Sequence, residues 1–155
     1  MRILDFLSVG TIKIGLTCRT KETVIEELAS LLALEGKVPS KESLVAAVLK
    51  REESISTAIG EGVCLPHAKV EGILCPCMAI GLCSEGIAYD TPDSKAVKVV
   101  ILIASSPNDA GAQLKILASL ARYVKTPGFI PSLESSTTPQ EVLKVLTKFE
   151  EVVRL

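Results

Sequence analysis

The sequence predicts a layered α/β domain, and two changes in the spacing of its apolar residues indicate this architecture. Apolar residues first recur at helical intervals in two stretches up to Arg51, then run almost continuously through three segments between residues 62 and 104. Helical spacing returns from Leu114 onward. Helices on both sides of a block of strands are typical of a layered α/β fold. No repeat or linker interrupts the 155 residues, so we expect one domain over 1–155.

The first part of the chain predicts a short strand and two helices. Apolar residues alternate with others over 12–16, which favours a strand. Thr20 is placed to cap a helix that ends at Gly36, and Ser40 to cap a second that ends near Arg51. The predicted inward faces of these helices are Val24, Ile25, Leu28, Leu31 and Leu32, then Leu44, Val45, Val48 and Leu49.

The middle of the chain is predicted to form the sheet, with strands over 62–66, 75–83 and 97–104. The last of these is almost continuously apolar, as expected of a central strand covered on both faces. A helix follows with an apolar face that includes Leu114 and Leu117. Thr138 then begins a capping box, Thr-Pro-Gln-Glu, with proline in the first helical position, which predicts a final helix.

The composition argues against several functional classes. Lys and Arg total 17 against 18 Asp and Glu, and there is no Trp, so a nucleic-acid binder is not expected. No apolar run approaches the ~20 residues of a membrane span, and the first residues do not resemble a signal peptide. Five cysteines, an odd number, fit a reduced cytoplasmic protein with buried thiols and no metal site. The charged clusters at 50–53 and 148–151 are expected to be solvated helix ends.

His67 is the sole histidine, so a multi-histidine metal site or a histidine relay is excluded. Its side chain is the one best suited to carry a transferred group near neutral pH. Hydroxyl residues and glycines precede it over 54–62, and Arg51 can present a planar cationic fork to phosphate oxygens if the chain folds back. On these residues alone, a phosphate-handling site and a purely structural histidine at a strand end both stay open.

The segment that ends at His67 resembles the phosphorylation-site region of the type-2 IIA domains (fructose/mannitol class) of the bacterial phosphotransferase system. That family has an Arg-Glu pair, a Ser/Thr-Gly-Ile-Gly-like turn, and a strand ending in Ile-Pro-His. The matching stretches here are Arg51-Glu52, Ser-Thr-Ala-Ile-Gly over 56–60, and Val-Cys-Leu-Pro-His-Ala over 63–68. The likeness extends over 1–7, 90–104 and 113–121. A free-standing copy of this length is most similar to the nitrogen-regulatory (PtsN-like) branch.

The resemblance implies a mixed β-sheet with helices packed on both faces. It implies that His67 accepts a phosphoryl group from a phosphocarrier protein (HPr or its nitrogen-branch relative NPr) and that Arg51 stabilises the transferred group. Thr57 and Gly60 are expected to support the site, and Glu61 to orient the imidazole or contact the partner. No metal or other cofactor is implied, and the chain is expected to be a phosphotransferase component and not a free-standing enzyme. Our candidates for an apolar docking rim are Ile55, Ile59 and Val70.

Gln113 is the main departure from the family pattern, since many members have a second histidine there. Glutamine can donate a hydrogen bond to a phosphate oxygen but carries no positive charge. We therefore expect slower or less stable phosphorylation, or a protein specialised for signalling. Two alternatives follow: a non-catalytic module that binds regulatory target proteins through a degenerate site, and the IIA component of a fructose/mannitol-type permease that passes phosphate to an EIIB domain.

Overall fold

The computed structural model describes residues 2–109 and 111–154. After two short 3-10 turns, Ile3–Phe6 and Val9–Thr11, the chain forms helices and strands in an order close to the predicted one. The helices in the described ranges are α1 (Lys21–Leu34), α2 (Lys41–Ser54), α3 (Ala112–Lys125), α4 (Phe129–Glu134) and α5 (Pro139–Arg154). The strands are β1 (Ile12–Lys13), β2 (Ala58–Gly60), β3 (Val63–Cys64), β4 (His67–Lys69), β5 (Cys77–Ile87) and β6 (Val97–Ser105).

The sheet is mixed, as the resemblance implied. Its strand order is β1-β5-β6-β3-β2, and β4 pairs with β6 beyond β3. Strand β5 runs antiparallel to β6, whereas β3 and β4 both run parallel to it. The strand predicted over 62–66 is therefore shorter than expected, and a second strand, β4, begins at His67. Pro66 separates the two because it has no N–H group for the ladder, although its carbonyl still accepts from the Ile103 N–H.

Strand β6 lies at the centre of the molecule and is covered on both faces, as its apolar sequence predicted. Val100, Leu102 and Ala104 face a core shared with α1 and α2. The alternate residues Val99, Ile101 and Ile103 face a second core shared with α3, α4 and α5. Helices thus pack on both faces of the sheet, which confirms the layered α/β prediction.

The predicted helix caps are largely confirmed. The Thr20 hydroxyl accepts a hydrogen bond from the Thr23 N–H, and that of Ser40 accepts from the Ser43 N–H. The Thr138 hydroxyl accepts from the Glu141 N–H at 3.1 Å, but the Glu141 carboxylate accepts from the N–H of Thr137, one residue before the position predicted. Within residues 2–109 and 111–154, no helix is both long and apolar enough to cross a membrane.

Candidate functional site

His67 opens β4 opposite Ile103 of the central strand, and its side chain is half-buried. Its Nδ1 lies 2.7 Å from the Leu65 carbonyl oxygen. A carbonyl can only accept a hydrogen bond, so the geometry requires the proton of the neutral ring to be on Nδ1. Nε2 therefore keeps its lone pair and is the nucleophilic atom of this side chain.

Burial lowers the pKa of His67 below its ordinary value. The hydrogen bond to the Leu65 carbonyl opposes this shift, the positive charge of Arg51 adds to it, and the negative charge of Glu52 opposes it. Since an unperturbed imidazole titrates near ~6.5, a lowered pKa leaves the ring neutral at pH 7. Neutral imidazole is the form that can accept an electrophilic group.

Arg51 approaches the region of His67 from the layer of helices formed by α1 and α2. It lies in the last turn of α2, the helix that packs against β4, and its charge acts on His67. Its Nη1 donates to the Ile55 carbonyl oxygen at 3.3 Å, a bond that holds the guanidinium at the helix end. A guanidinium has five N–H donors, so further donors remain for an anion. The charge of Arg51 therefore acts on His67, the other residue that the sequence placed at the centre of the site.

Thr57 is near the site but its side chain binds a carboxylate. The Thr57 N–H donates to Glu52 Oε2 at 3.3 Å, and its hydroxyl donates to Glu52 Oε1 over a short distance. Glu52 is only 5% exposed and also accepts from the Tyr89 hydroxyl at 3.1 Å. The expectation that the cluster at 50–53 is solvated is therefore wrong for Glu52. One signal was available in the sequence: a carboxylate in the last turn of a helix opposes the helix dipole, so another interaction must hold it there.

The structure does not bring Gly60 and Glu61 to His67. They form the turn between β2 and β3, where Gly60, Glu61 and Gly62 all have positive φ. Val63 lies opposite Val99 and His67 opposite Ile103, so this turn is more than about 13 Å from the histidine along the sheet at ~3.3 Å per residue. The Glu61 carboxylate pairs with Lys95 at 3.2 Å. The expected role of Glu61 in orienting the imidazole is therefore unsupported.

Gln113 is buried, at 7% exposure, in the first turn of α3. Its Nε2 donates to the Ala68 carbonyl at 2.9 Å and to the Ser105 hydroxyl oxygen at 3.2 Å. An amide group has two N–H donors, and both have protein acceptors. Gln113 thus has no donor left for a phosphate oxygen, which corrects the expectation that it donates one. It joins α3 to the backbone beside His67.

Two of the three predicted rim residues are exposed, but Ile59 precedes Gly60 in β2 and so lies in the part of the sheet away from His67. Ile55 is 66% exposed and Ile59 is 42% exposed, whereas Val70 is buried in the core shared with α1 and α2. Leu114, which the sequence placed on the apolar face of its helix and not on the docking rim, is 72% exposed. Together with Lys69 and Leu117 it lines an open depression of about 360 Å³ next to Gln113.

The thiols do not form a metal centre. All five cysteines lie in the described ranges and are free: Cys64, Cys77 and Cys83 are buried, Cys18 is half-buried, and Cys75 is exposed. Among the described residues, no three His, Cys, Asp or Glu side chains are grouped to hold a metal ion. The buried thiols fill the core as small apolar groups.

The fold and the site define a class of protein: a mixed α/β domain with one half-buried histidine whose Nε2 lone pair is chemically able to accept a group, and with an arginine whose charge acts on that histidine. The family model described as "Phosphoenolpyruvate-dependent sugar phosphotransferase system, EIIA 2" matches residues 5–149. The chain belongs to this family, as the resemblance in its sequence indicated.

The relatives include both sugar-specific and nitrogen-regulatory proteins. The fructose-specific EIIA component of Haloferax volcanii is 31% identical over 132 residues, which cover 85% of this chain and 86% of that protein. The nitrogen regulatory protein of Bradyrhizobium diazoefficiens is 29% identical and is covered over 95% of its length. The Bacillus subtilis fructose-specific EIIABC component is 27% identical over 97% of this chain. The chain spans only 24% of that protein and 20% of the Escherichia coli 2-O-alpha-mannosyl-D-glycerate-specific EIIABC component.

Solved structures show the same fold. The nitrogen regulatory protein IIA-Ntr of Neisseria meningitidis superposes with a TM-score of 0.85 at 26% identity, covering 92% of this chain and 97% of that one. The enzyme IIA for mannitol of Escherichia coli, solved in complex with phosphorylated IIB, superposes with a TM-score of 0.78 at 27% identity, covering 92% of this chain and 97% of that one.

Proposed function

We propose that this chain is a phosphoryl-group carrier of the phosphotransferase system and that His67 Nε2 accepts the group from a phosphohistidine carrier protein of the HPr or NPr type. The observation that carries this proposal is the hydrogen bond from Nδ1 to the Leu65 carbonyl, which leaves Nε2 as the nucleophile. Membership of the EIIA family supports it.

In the proposed step the Nε2 lone pair attacks the phosphorus of the carrier's phosphohistidine. A new N–P bond forms at His67, the N–P bond to the carrier breaks, and its electron pair returns to the carrier's imidazole nitrogen. The His67 ring gains positive charge as it is phosphorylated, and the Leu65 carbonyl stabilises that charge by accepting from Nδ1–H. The guanidinium of Arg51 stabilises negative charge on the phosphoryl oxygens.

Onward transfer depends on a second partner. The Escherichia coli mannitol relative was solved with a phosphorylated IIB protein, and we infer that an EIIB domain can receive the group from this chain as well. A regulatory role is the second candidate, and Gln113 favours it because both of its amide donors are used within the fold. We place the protein in the cytoplasm, since its five cysteines are free thiols.

The test is incubation with phosphoenolpyruvate, enzyme I and either HPr or NPr, followed by intact-mass measurement. Wild type should gain one acid-labile phosphoryl group, and His67→Ala should gain none. Because the chain has a single histidine, any phosphohistidine found on it identifies the site. If wild type gains nothing while the same carrier phosphorylates a control IIA protein, the carrier role is refuted and the protein is a binding module.

A further inference from the structure

A buried hydrogen-bond network lies beside His67 and Arg51. Its centre is the carboxylate of Glu52, which accepts from the Thr57 N–H, the Thr57 hydroxyl and the Tyr89 hydroxyl. Glu52 and Thr57 are buried, and Tyr89 is partly buried. A carboxylate taken out of water is stable only when such donors surround it, so these three residues act as one unit.

This network continues to His67 through the backbone. The Thr57 carbonyl accepts from the Leu65 N–H at 3.0 Å, and the Leu65 carbonyl accepts from His67 Nδ1 at 2.7 Å. The position of Leu65 therefore depends on Thr57 on one side and determines the proton position of the imidazole on the other. A shift of the Leu65 carbonyl would weaken the interaction that keeps the proton on Nδ1 and the lone pair on Nε2.

The same network continues to Arg51 through α2. Glu52 is the next residue in the last turn of that helix, where its charge opposes the helix dipole. Its bonds to Thr57 and Tyr89 compensate for this cost and hold the helix end against the strands. The orientation of this last turn of α2 then determines where the guanidinium of Arg51 lies.

We propose that Glu52 and Tyr89 are positioning residues of the phosphoryl transfer: they fix the Leu65 carbonyl that selects the reactive tautomer of His67 and the helix end that carries Arg51. The inference rests on the proposed function for its kinetic consequence, but not for its effect on the tautomer. Neither residue hydrogen-bonds to the imidazole. Tyr89 acts only through Glu52 and the residues bonded to it, whereas Glu52 also acts on the imidazole directly through its negative charge.

Tyr89→Phe is the sharpest test, because it removes one hydroxyl and leaves both Thr57 donors on Glu52. Tyr123→Phe is the matched control, since Tyr123 belongs to the core on the opposite face of the sheet. The first readout is the ¹⁵N NMR spectrum of the unphosphorylated protein, in which the single histidine gives one unambiguous pair of ring signals. We expect the Nε2–H tautomer to gain population in Tyr89→Phe and not in Tyr123→Phe.

The second readout is the rate of phosphorylation by the carrier. Loss of one hydrogen bond of ordinary strength predicts a rate about 3- to 10-fold lower for Tyr89→Phe, with Tyr123→Phe at the wild-type rate. Glu52→Gln, which also removes the negative charge that acts on His67, should change both readouts more than Tyr89→Phe does. If Glu52→Gln does not fold, the tyrosine pair decides the question.

The outcomes separate the two proposals. A wild-type tautomer ratio and rate in Tyr89→Phe, equal to those of Tyr123→Phe, would overturn the positioning role. Failure of wild type to accept a phosphoryl group would refute the carrier function, while the NMR comparison would still decide whether the network fixes the imidazole.

Discussion

Gln113→Glu tests the structural role of Gln113 with an almost isosteric change. The carboxylate would place an acceptor 2.9 Å from the Ala68 carbonyl, where the amide now donates, in a position only 7% exposed. The Ser105 hydroxyl can rotate and donate to the new oxygen, so one of the two bonds is recoverable. One lost hydrogen bond and one buried unsatisfied acceptor together cost about 2–4 kcal/mol of unfolding free energy.

The destabilisation by Gln113→Glu should depend on pH, in a direction set by the pKa of the introduced carboxyl group. Burial and the facing carbonyl disfavour the charged form of the introduced carboxyl group in the folded state, so its folded pKa would lie above the unfolded value of about 4.3. The destabilisation should therefore be smallest below pH ~4.3 and grow as the pH rises towards the folded pKa.

The difference in unfolding free energy between wild type and Gln113→Glu is measured by urea unfolding below pH ~4.3 and again at pH 7. At pH 7 the loss corresponds to about 5–15 °C in Tm for a chain of this size. Gln140→Glu is the matched control, because Gln140 is exposed in the first turn of α5. A loss for Gln113→Glu no greater than that for Gln140→Glu, or one that does not depend on pH, would refute the structural role of Gln113.

Four further predictions concern the transfer itself. Gln113→His should raise the rate of phosphorylation, because one ring nitrogen can bind the Ala68 carbonyl while the other faces the phosphoryl group; an unchanged rate would contradict this. Arg51→Lys should lower that rate by on the order of tenfold or more, since the planar fork is lost, whereas Glu61→Gln should change it less than about twofold. Because the pKa of His67 is lowered by burial, the rate should hold down to pH ~6.5 and fall only as the imidazolium forms below it; a decline that begins above pH 7 would be inconsistent with that shift.

The fold was largely predictable from local patterns. The continuous apolar run of β6 identified a strand covered on both faces, and hydroxyl residues before apolar helical stretches identified the caps at Thr20 and Ser40. These features depend on residues close together in the sequence. The short strands β2 and β4 were not predicted, because each has three residues and is fixed by its pairing with a neighbouring strand.

Burial of charge was the least predictable feature. The clusters at 50–53 and 148–151 have the same composition as solvated helix ends, yet each contains a buried glutamate. Glu52 binds Thr57 and Tyr89, and Glu150 binds Arg2 at the other end of the chain. Tyr89 and Arg2 come from distant segments. The position of a carboxylate in the last helical turn is a local signal, but it does not distinguish Glu52 from its exposed neighbour Glu53.

The contrast between Glu61 and Tyr89 shows why sequence distance misleads at this site. Glu61 is close to His67 in the sequence, but an extended chain advances ~3.3 Å per residue, so the few residues between them separate them along the sheet. Tyr89 is far away in the sequence, but it follows β5 and returns to the buried carboxylate next to Arg51. A site at the end of a strand is therefore assembled from the residues beside it across the sheet and from the helix packed on it. Glu52 bonds to one residue of the motif, Thr57, and to one in a distant loop, Tyr89. It therefore belongs to this site more closely than Glu61 does.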